Sequence, residues 1–352
     1  MRIKSFSFES DSLVLQKIEL QNLNLIVGRN GNGKSTTLFY LDYLIYDILN
    51  ESDSINLSNR SNWNLELSIN SDNYYRFELN SIMLEDYNDV IKKEQLLLNE
   101  AILIDRYEND CKIYSEVTKH FEILNPPEDT LVIHSRRDTK AYPFIEKILD
   151  WAKNNYCINF ANIDDNVSAA YDIVIADIYN KLTLEQQEKI LSDFNGIGFN
   201  ISKIEYRKHN EFHHLYIHEN GFNNPLNYVE LSEGMHRSLC LLIFVEHLIS
   251  KKKASTLLID NLGEGLDYQR AIELGKILFK LCDEHDIQLI ATTNDSFLMD
   301  VIDIDYWNVL ERKGKVVSAI NIVNSPKLFE DFRYTGLSNF DFFSSSYLPS
   351  RL

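Results

Sequence analysis

The sequence predicts an α/β fold: a mixed β-sheet flanked by helices, with a large, mainly helical insertion lobe. Three observations predict it. Short apolar runs that end in glycine or an acid alternate with longer stretches of helical apolar spacing. Their order is strand, glycine loop, helix, then strand, helix, strand, which is that of a layered α/β core. A long stretch over 81–225 separates the two halves of that pattern.

The elements follow in chain order. Residues 2–8 and 13–20 read as strands, the first setting Ile3, Phe6 and Phe8 among charged or small residues. Leu23–Val27 is an apolar run that stops at Gly28 and reads as a buried strand. Leu38, Leu41, Leu44, Ile45 and Ile48 recur at helical spacing over Ser35–Leu49. Trp63–Leu79 alternates as a hairpin around Ser71-Asp72-Asn73. Ser81–Leu124 is highly charged and reads as helical until Pro126-Pro127 breaks it. Leu131–Ile133 reads as a strand and Phe144–Tyr156 as a helix. Ala169–Phe194 reads as two helices, the second capped at Thr183. A hairpin is expected over 199–206 and 212–218. Then come a helix at Ser232–Ser250, a strand at Thr256–Ile259, a helix at Tyr268–Glu284 and a strand at Gln288–Ala291. A last hairpin turns at Lys313-Gly314. The domain reading is a head made of 1–80 and 226–352, with an inserted lobe at 81–225.

Composition narrows the function. The 352 residues carry 53 acids against 35 bases, a net charge of -18. That argues against coating nucleic acid or an anionic membrane through bulk charge. No apolar stretch is long enough for a membrane span or a signal peptide, so the expectation is a cytoplasmic protein with no membrane partner. Cys111, Cys157, Cys240 and Cys282 are too far apart for a disulfide framework or a zinc cluster and read as buried thiols.

The chemistry concentrates in two places. Gly28-Arg29-Asn30-Gly31-Asn32-Gly33-Lys34-Ser35 fits glycine, four residues, then Gly-Lys-Ser, between a buried strand and an amphipathic helix. Glycines there let successive N–H groups turn inward onto phosphate oxygens, and the helix dipole adds positive potential. Lys34 is placed to reach β and γ phosphates of ATP, and the Ser35 hydroxyl to ligate Mg2+. The second place is Leu257-Leu258-Ile259-Asp260, an apolar strand ending in an acid that can hold Mg2+ or its water. Leu231-Ser232-Glu233-Gly234 precedes it and opens a long helix; Glu264-Gly265-Leu266-Asp267 follows it.

On these residues the sequence resembles the ABC-type ATPases, over about 1–50 and 225–312. Leu231–Gly234 resembles their signature motif and Glu264–Asp267 their D-loop. The resemblance implies a P-loop ATPase head whose nucleotide site is lined by Gly28 to Ser35, including Arg29, Asn30 and Asn32, and by Thr36. It implies two heads packed head-to-tail, with Ser232 and Gly234 of one capping the γ phosphate held by the other. The long segment between the two motifs is similar to the RecF, OLD-nuclease and SMC branch, and to stand-alone ATP-binding proteins of bacterial antiphage operons. No sustained heptad run suggests SMC-like arms, and no Toprim nuclease domain follows. The expectation is therefore a regulator of a separately encoded effector such as a nuclease. A RecF-like clamp on DNA and the energy subunit of a transporter are the alternatives.

The sequence departs from that family at two catalytic positions. Asn261 stands where a glutamate follows the magnesium-binding aspartate, and Asn294 where the switch histidine falls. An amide cannot take a proton as a carboxylate can. Either hydrolysis is slow, which is the expectation, or Glu264 or Asp295 substitutes as the base. Among Gln95, Gln186 and Gln187, none follows an evident core strand as the family's Q-loop glutamine does. Weaker signals are Arg136-Arg137 at a strand end, Lys251-Lys252-Lys253 closing a helix, and His213, His214 and His218 as a metal cluster. The terminal Phe340, Phe342, Phe343 and Tyr347 read as packing back on the head or docking a partner.

Overall fold

Leu23–Val27 is buried at every position, as a strand covered on both faces must be. The computed structural model builds the fold outward from it and describes residues 1–50, 61–83, 89–158, 174–209 and 212–344. The first elements are β1 (Arg2–Ser10), β2 (Val14–Glu19), β3 (Leu23–Val27) and α1 (Lys34–Leu49). Six strands follow: β4 (Ser61–Ser68), β5 (Tyr74–Met83), β6 (Asp89–Leu98), β7 (Ala101–Tyr107), β8 (Asp110–Tyr114) and β9 (Phe121–Leu124). Then come α2 (Val132–Ser135), α3 (Pro143–Ala152), β10 (Asn155–Ile158), α4 over 174–181 and α5 (Leu184–Gly196). Strands β11 (Ile201–His209), β12 (Phe212–Glu219) and β13 (Leu226–Asn227) form a small sheet of their own. The chain closes with α6 (Glu233–Lys251), β14 (Ser255–Ile259), α7 (Tyr268–Glu284), β15 (Ile287–Thr292), α8 (Ser296–Val301), β16 (Trp307–Lys313), β17 (Val316–Asn321), α9 (Pro326–Arg333) and α10 (Asn339–Ser344).

Among the described residues one sheet has 14 strands, in the order β10-β14-β15-β3-β16-β17-β2-β1-β4-β5-β6-β7-β8-β9. The run β10-β14-β15-β3-β16 is parallel throughout. The run β4 to β9 is an antiparallel meander. Two apolar clusters lie on opposite faces. One packs α1 and α3 against the sheet through Leu38, Leu41, Ile45, Ile145 and Ile148. The other packs α5, α6 and α7 through Phe194, Leu242, Val245, Leu274 and Leu278.

The helical reading of 81–124 is corrected here, and with it the mainly helical lobe. Those residues are β6 to β9, which continue the head's sheet past position 81. Two β-bulges, between Asn80 and Ser81 and between Leu96 and Leu97, break the two-residue alternation that would have marked strands. The charge has a simple cause as well. One face of the meander is solvated, and its cross-strand rows are polar: Asn64, Glu78, Gln95, Asp105 and Lys112 stand opposite one another in turn. Ion pairs such as Lys93–Glu78 at 2.7 Å lace it. Leu131–Ile133, expected as a strand, instead leads into α2.

Other expectations hold. Thr183 caps α5 in a capping box with Gln186. Phe342 of α10 is fully buried against Trp307, Phe329 and Phe332, so the described part of the tail packs on the head; Tyr347 lies outside the described residues. Cys111, Cys240 and Cys282 are buried thiols, whereas Cys157, expected to be buried as well, is only half-buried at the sheet-edge strand β10. Among the described residues no helix is long and apolar enough to cross a membrane.

Glu94 sits on the buried face of β6, fully enclosed. Its Oε2 accepts from Val132 N at 2.8 Å at the start of α2. Burial pushes its carboxyl up to about 7, against the pull of the Val132 N–H and the Arg106 guanidinium. The folded state therefore holds a proton that the unfolded chain releases near its ordinary carboxylate value. Stability should fall as pH rises from about 4.5 to about 7, by on the order of 3 kcal/mol. Denaturant midpoints across that range should slope downward in the wild type and flatten in Glu94→Gln.

Candidate nucleotide site

The loop from Gly28 joins the end of β3 to the start of α1. Gly33 caps that helix at φ 94°, a left-handed conformation that glycine adopts without strain. Lys34 is buried and turns back on the loop: Nζ donates to Gly28 O at 2.7 Å and reaches Arg29 O at 3.4 Å. Burial pulls its ammonium below the usual lysine value, and the Asp260 charge partly offsets this. Arg29 and Ser35 are exposed, and Thr36 is half-buried, on the first turn and its approach.

Asp260 closes β14, two strands from β3, with β15 between them. A residue outside the sequence-derived set organises this edge. The Thr292 hydroxyl, at the end of β15, donates to Asp260 Oδ1 at 2.6 Å and accepts from Asn261 N at 2.8 Å. Thr293 reaches the same turn through Leu262 O at 2.8 Å. Asn261 has φ 55°, the left-handed region that asparagine tolerates better than most residues. Its side-chain oxygen lies 3.4 Å from Asn294 Nδ2, so the two amides stand together.

The segment Asn261–Leu266, with Asn294 and Asp295, lines a cleft of about 230 Å3. Neither substitute base is uncommitted there. Arg237 holds the Glu264 carboxylate at 2.9 Å while its other arm grips Glu233 at 2.6 Å. Asp295 caps α8, one oxygen accepting from Phe297 N at 2.8 Å and Leu298 N at 2.9 Å.

Ser232 is the N-cap of α6, accepting from Met235 N at 3.5 Å. Gly234 lies so close to the turn after β14 that an added Cβ would come 2.4 Å from Gly265 O. The signature-like helix start and the D-loop-like turn thus form one packed unit, tied by Arg237.

The weaker sequence signals resolve into ordinary structure. Gln95 donates to Asp105 Oδ1, Gln186 belongs to the α5 cap and Gln187 donates to Tyr179 O. Phe6 and Phe8 are core residues, Phe8 stacking on Tyr40 at 3.8 Å. His213 pairs with Asp177, and His218 with Glu205 at 2.9 Å. Among the described residues no three His, Cys, Asp or Glu side chains are grouped to hold a metal ion. Arg136 lies beside Tyr142 and Glu122, and Lys253 pairs with Asp150 at 3.3 Å.

A strand–loop–helix turn at Gly28, an acid-ended strand two places away and a shared parallel sheet give the chain the fold of a P-loop ATPase head. The chain belongs to the family described as "AAA domain, putative AbiEii toxin, Type IV TA system", whose model matches residues 23–300. No curated protein matches it. It is similar to a crystal structure of an SMC head bound to the C-winged helix domain of ScpA, at 12% identity and a TM-score of 0.58, over 91% of this chain and 98% of that one. It is also similar to an SMC head domain with an extended coiled coil, derived from Pyrococcus furiosus and bound to the C-terminal domain of ScpA. There the identity is 12% and the TM-score 0.54, over 94% and 99% of the two chains. At such identity the likeness is one of fold.

Thr292→Val keeps the shape but removes the hydroxyl. It leaves the Asn261 N–H without its acceptor, and loss of about 1–3 kcal/mol is expected. Chemical denaturation should show that loss, and Thr292→Ser should recover most of it.

Proposed function

We propose that this chain binds Mg-ATP in the loop Gly28–Ser35, pairs head-to-tail with a second copy while ATP is bound, and hydrolyses it slowly. The observation that carries this reading is the placement of two helix starts. α1 packs in the cluster on one face of the sheet and α6 in the cluster on the other. Each presents its N-terminus, an anion-binding feature, yet one chain cannot fold both onto the same phosphate across its own sheet. A second copy can supply Ser232 and Gly234. Tyr268 and Phe297, exposed and edge-on at 4.6 Å beside the turn after β14, fit a surface that another chain covers.

The donor set suits the ion. A hydroxyl and a carboxylate, Ser35 and Asp260, are hard oxygen ligands of the kind Mg2+ takes alongside phosphate oxygens and water. Bound there, Mg2+ would neutralise charge on the β and γ phosphates. Slow hydrolysis is supported by the two amides Asn261 and Asn294, by the Arg237 grip on Glu264 and by the helix cap that engages one oxygen of Asp295. A long-lived ATP state suits a switch whose γ-phosphate contacts hold two heads together.

The effector reading rests on the comparisons. A family described by a toxin of a Type IV TA system supports a defence role beside a second component. An SMC head bound to ScpA supports a separate protein partner, of which a nuclease is one candidate.

Wild-type protein should bind Mg-ATP and sediment as a dimer with it. Turnover should fall well below the ordinary enzymatic value of about 10 per second. Lys34→Ala should weaken binding roughly 10- to 100-fold, the equivalent of a charged hydrogen bond of about 1.5–3 kcal/mol. Fast turnover abolished by Glu264→Gln would reject the slow switch and make Glu264 the base.

A further inference from the structure

A phosphate loop that turns its N–H groups inward must turn carbonyls outward, and those carbonyls need donors. Lys34 serves Gly28 O and Arg29 O. A lysine that swings to a phosphate gives those bonds up. The loop has a second support from far along the chain, the β16–β17 hairpin.

Four contacts join the two. Asn32 Nδ2 donates to Leu310 O at 2.8 Å. A Cβ on Gly28 would come 3.0 Å from that same carbonyl, a tight fit that would press the loop against the hairpin. A Cβ on Gly33 would lie 3.4 Å from Val317. Arg312 Nη1 donates to Gly31 O at 3.1 Å while Nε donates to Gly314 O at 2.8 Å. The planar guanidinium thus bridges the hairpin turn and the loop with two fixed arms. The hairpin is itself anchored, since Val14 N donates to Lys315 O at 2.8 Å. Arg312, Lys313 and Lys315 at the tip are exposed, as is Arg29 on the loop, a local positive rim in a chain of net charge -18.

We propose that Arg312 is a positioning residue of the nucleotide site, its fork locking the Gly31 carbonyl to the hairpin so that the loop keeps its phosphate-binding shape. This rests on the reading of Gly28–Ser35 as an ATP site. The bridge, not the charge alone, is the claim.

The test titrates wild type, Arg312→Ala, Arg312→Lys and Lys34→Ala with Mg-ATP and Mg-ADP by calorimetry, beside melting of the nucleotide-free proteins. The expected result is about tenfold weaker binding of both nucleotides by Arg312→Ala, the scale of a lost charged hydrogen bond. Arg312→Lys, which keeps the charge but cannot span both carbonyls, should recover little. Full recovery by lysine would overturn the bridge in favour of bare charge. Unchanged binding in Arg312→Ala, with or without a lower melting temperature, would overturn the proposal. Wild type that binds neither nucleotide would instead remove the ATP reading, and this inference with it.

Discussion

The Thr292 hydroxyl is the joint that ties the ends of β14 and β15 together. One oxygen serves two strands, donating to the acid that ends β14 and accepting from the N–H of the next residue. The bond sits at the carboxyl ends of parallel strands, where an α/β sheet places its ligands. β15 lies between β3 and β14, so the same strand spaces Asp260 from the phosphate loop. The turn after β14 and the Asn261–Asn294 contact lie beside that short hydrogen-bonded edge.

The legible part of the fold was the part with strong local signals. The loop at Gly28, the buried strands at Leu23 and Ser255, and α7 at Tyr268–Glu284 were all read from sequence. Each carries its own periodicity or an unmistakable turn residue. The first hairpin of the meander was read, but β6 to β9 were not legible, for two reasons. Its bulges shift the period, and Glu94 puts an acid on a buried face. β10 was also missed; it has only four residues and borrows its identity from pairing with β14.

The site was legible by motif and illegible by contact. Sequence pattern proposed Lys34, Ser35 and Asp260, with Ser232 implied by the resemblance. It could not find Thr292, Arg237 or Arg312, because their meaning lies in partners distant in sequence, such as Glu264 for Arg237 and Gly31 for Arg312. The same contacts reshape the chemistry. A glutamate three positions past an asparagine resembles a spare base in sequence, but in the fold its carboxylate binds an arginine. In the fold two amides stand together at this edge, one acid is held by an arginine and the other caps a helix.

The central claim is that one nucleotide is closed by two chains. The most direct measurement mixes two defective variants, Lys34→Ala and Ser232→Asp, and reads Mg-ATP-dependent dimerisation by sedimentation. Aspartate keeps the helix cap but sets a negative charge against the γ phosphate. Each variant alone should stay monomeric. A mixed pair would contain one intact site, with the loop of one chain and the helix start of the other, so ATP-dependent dimers should reappear on mixing. A mixture that remains monomeric while wild type dimerises would contradict the shared site.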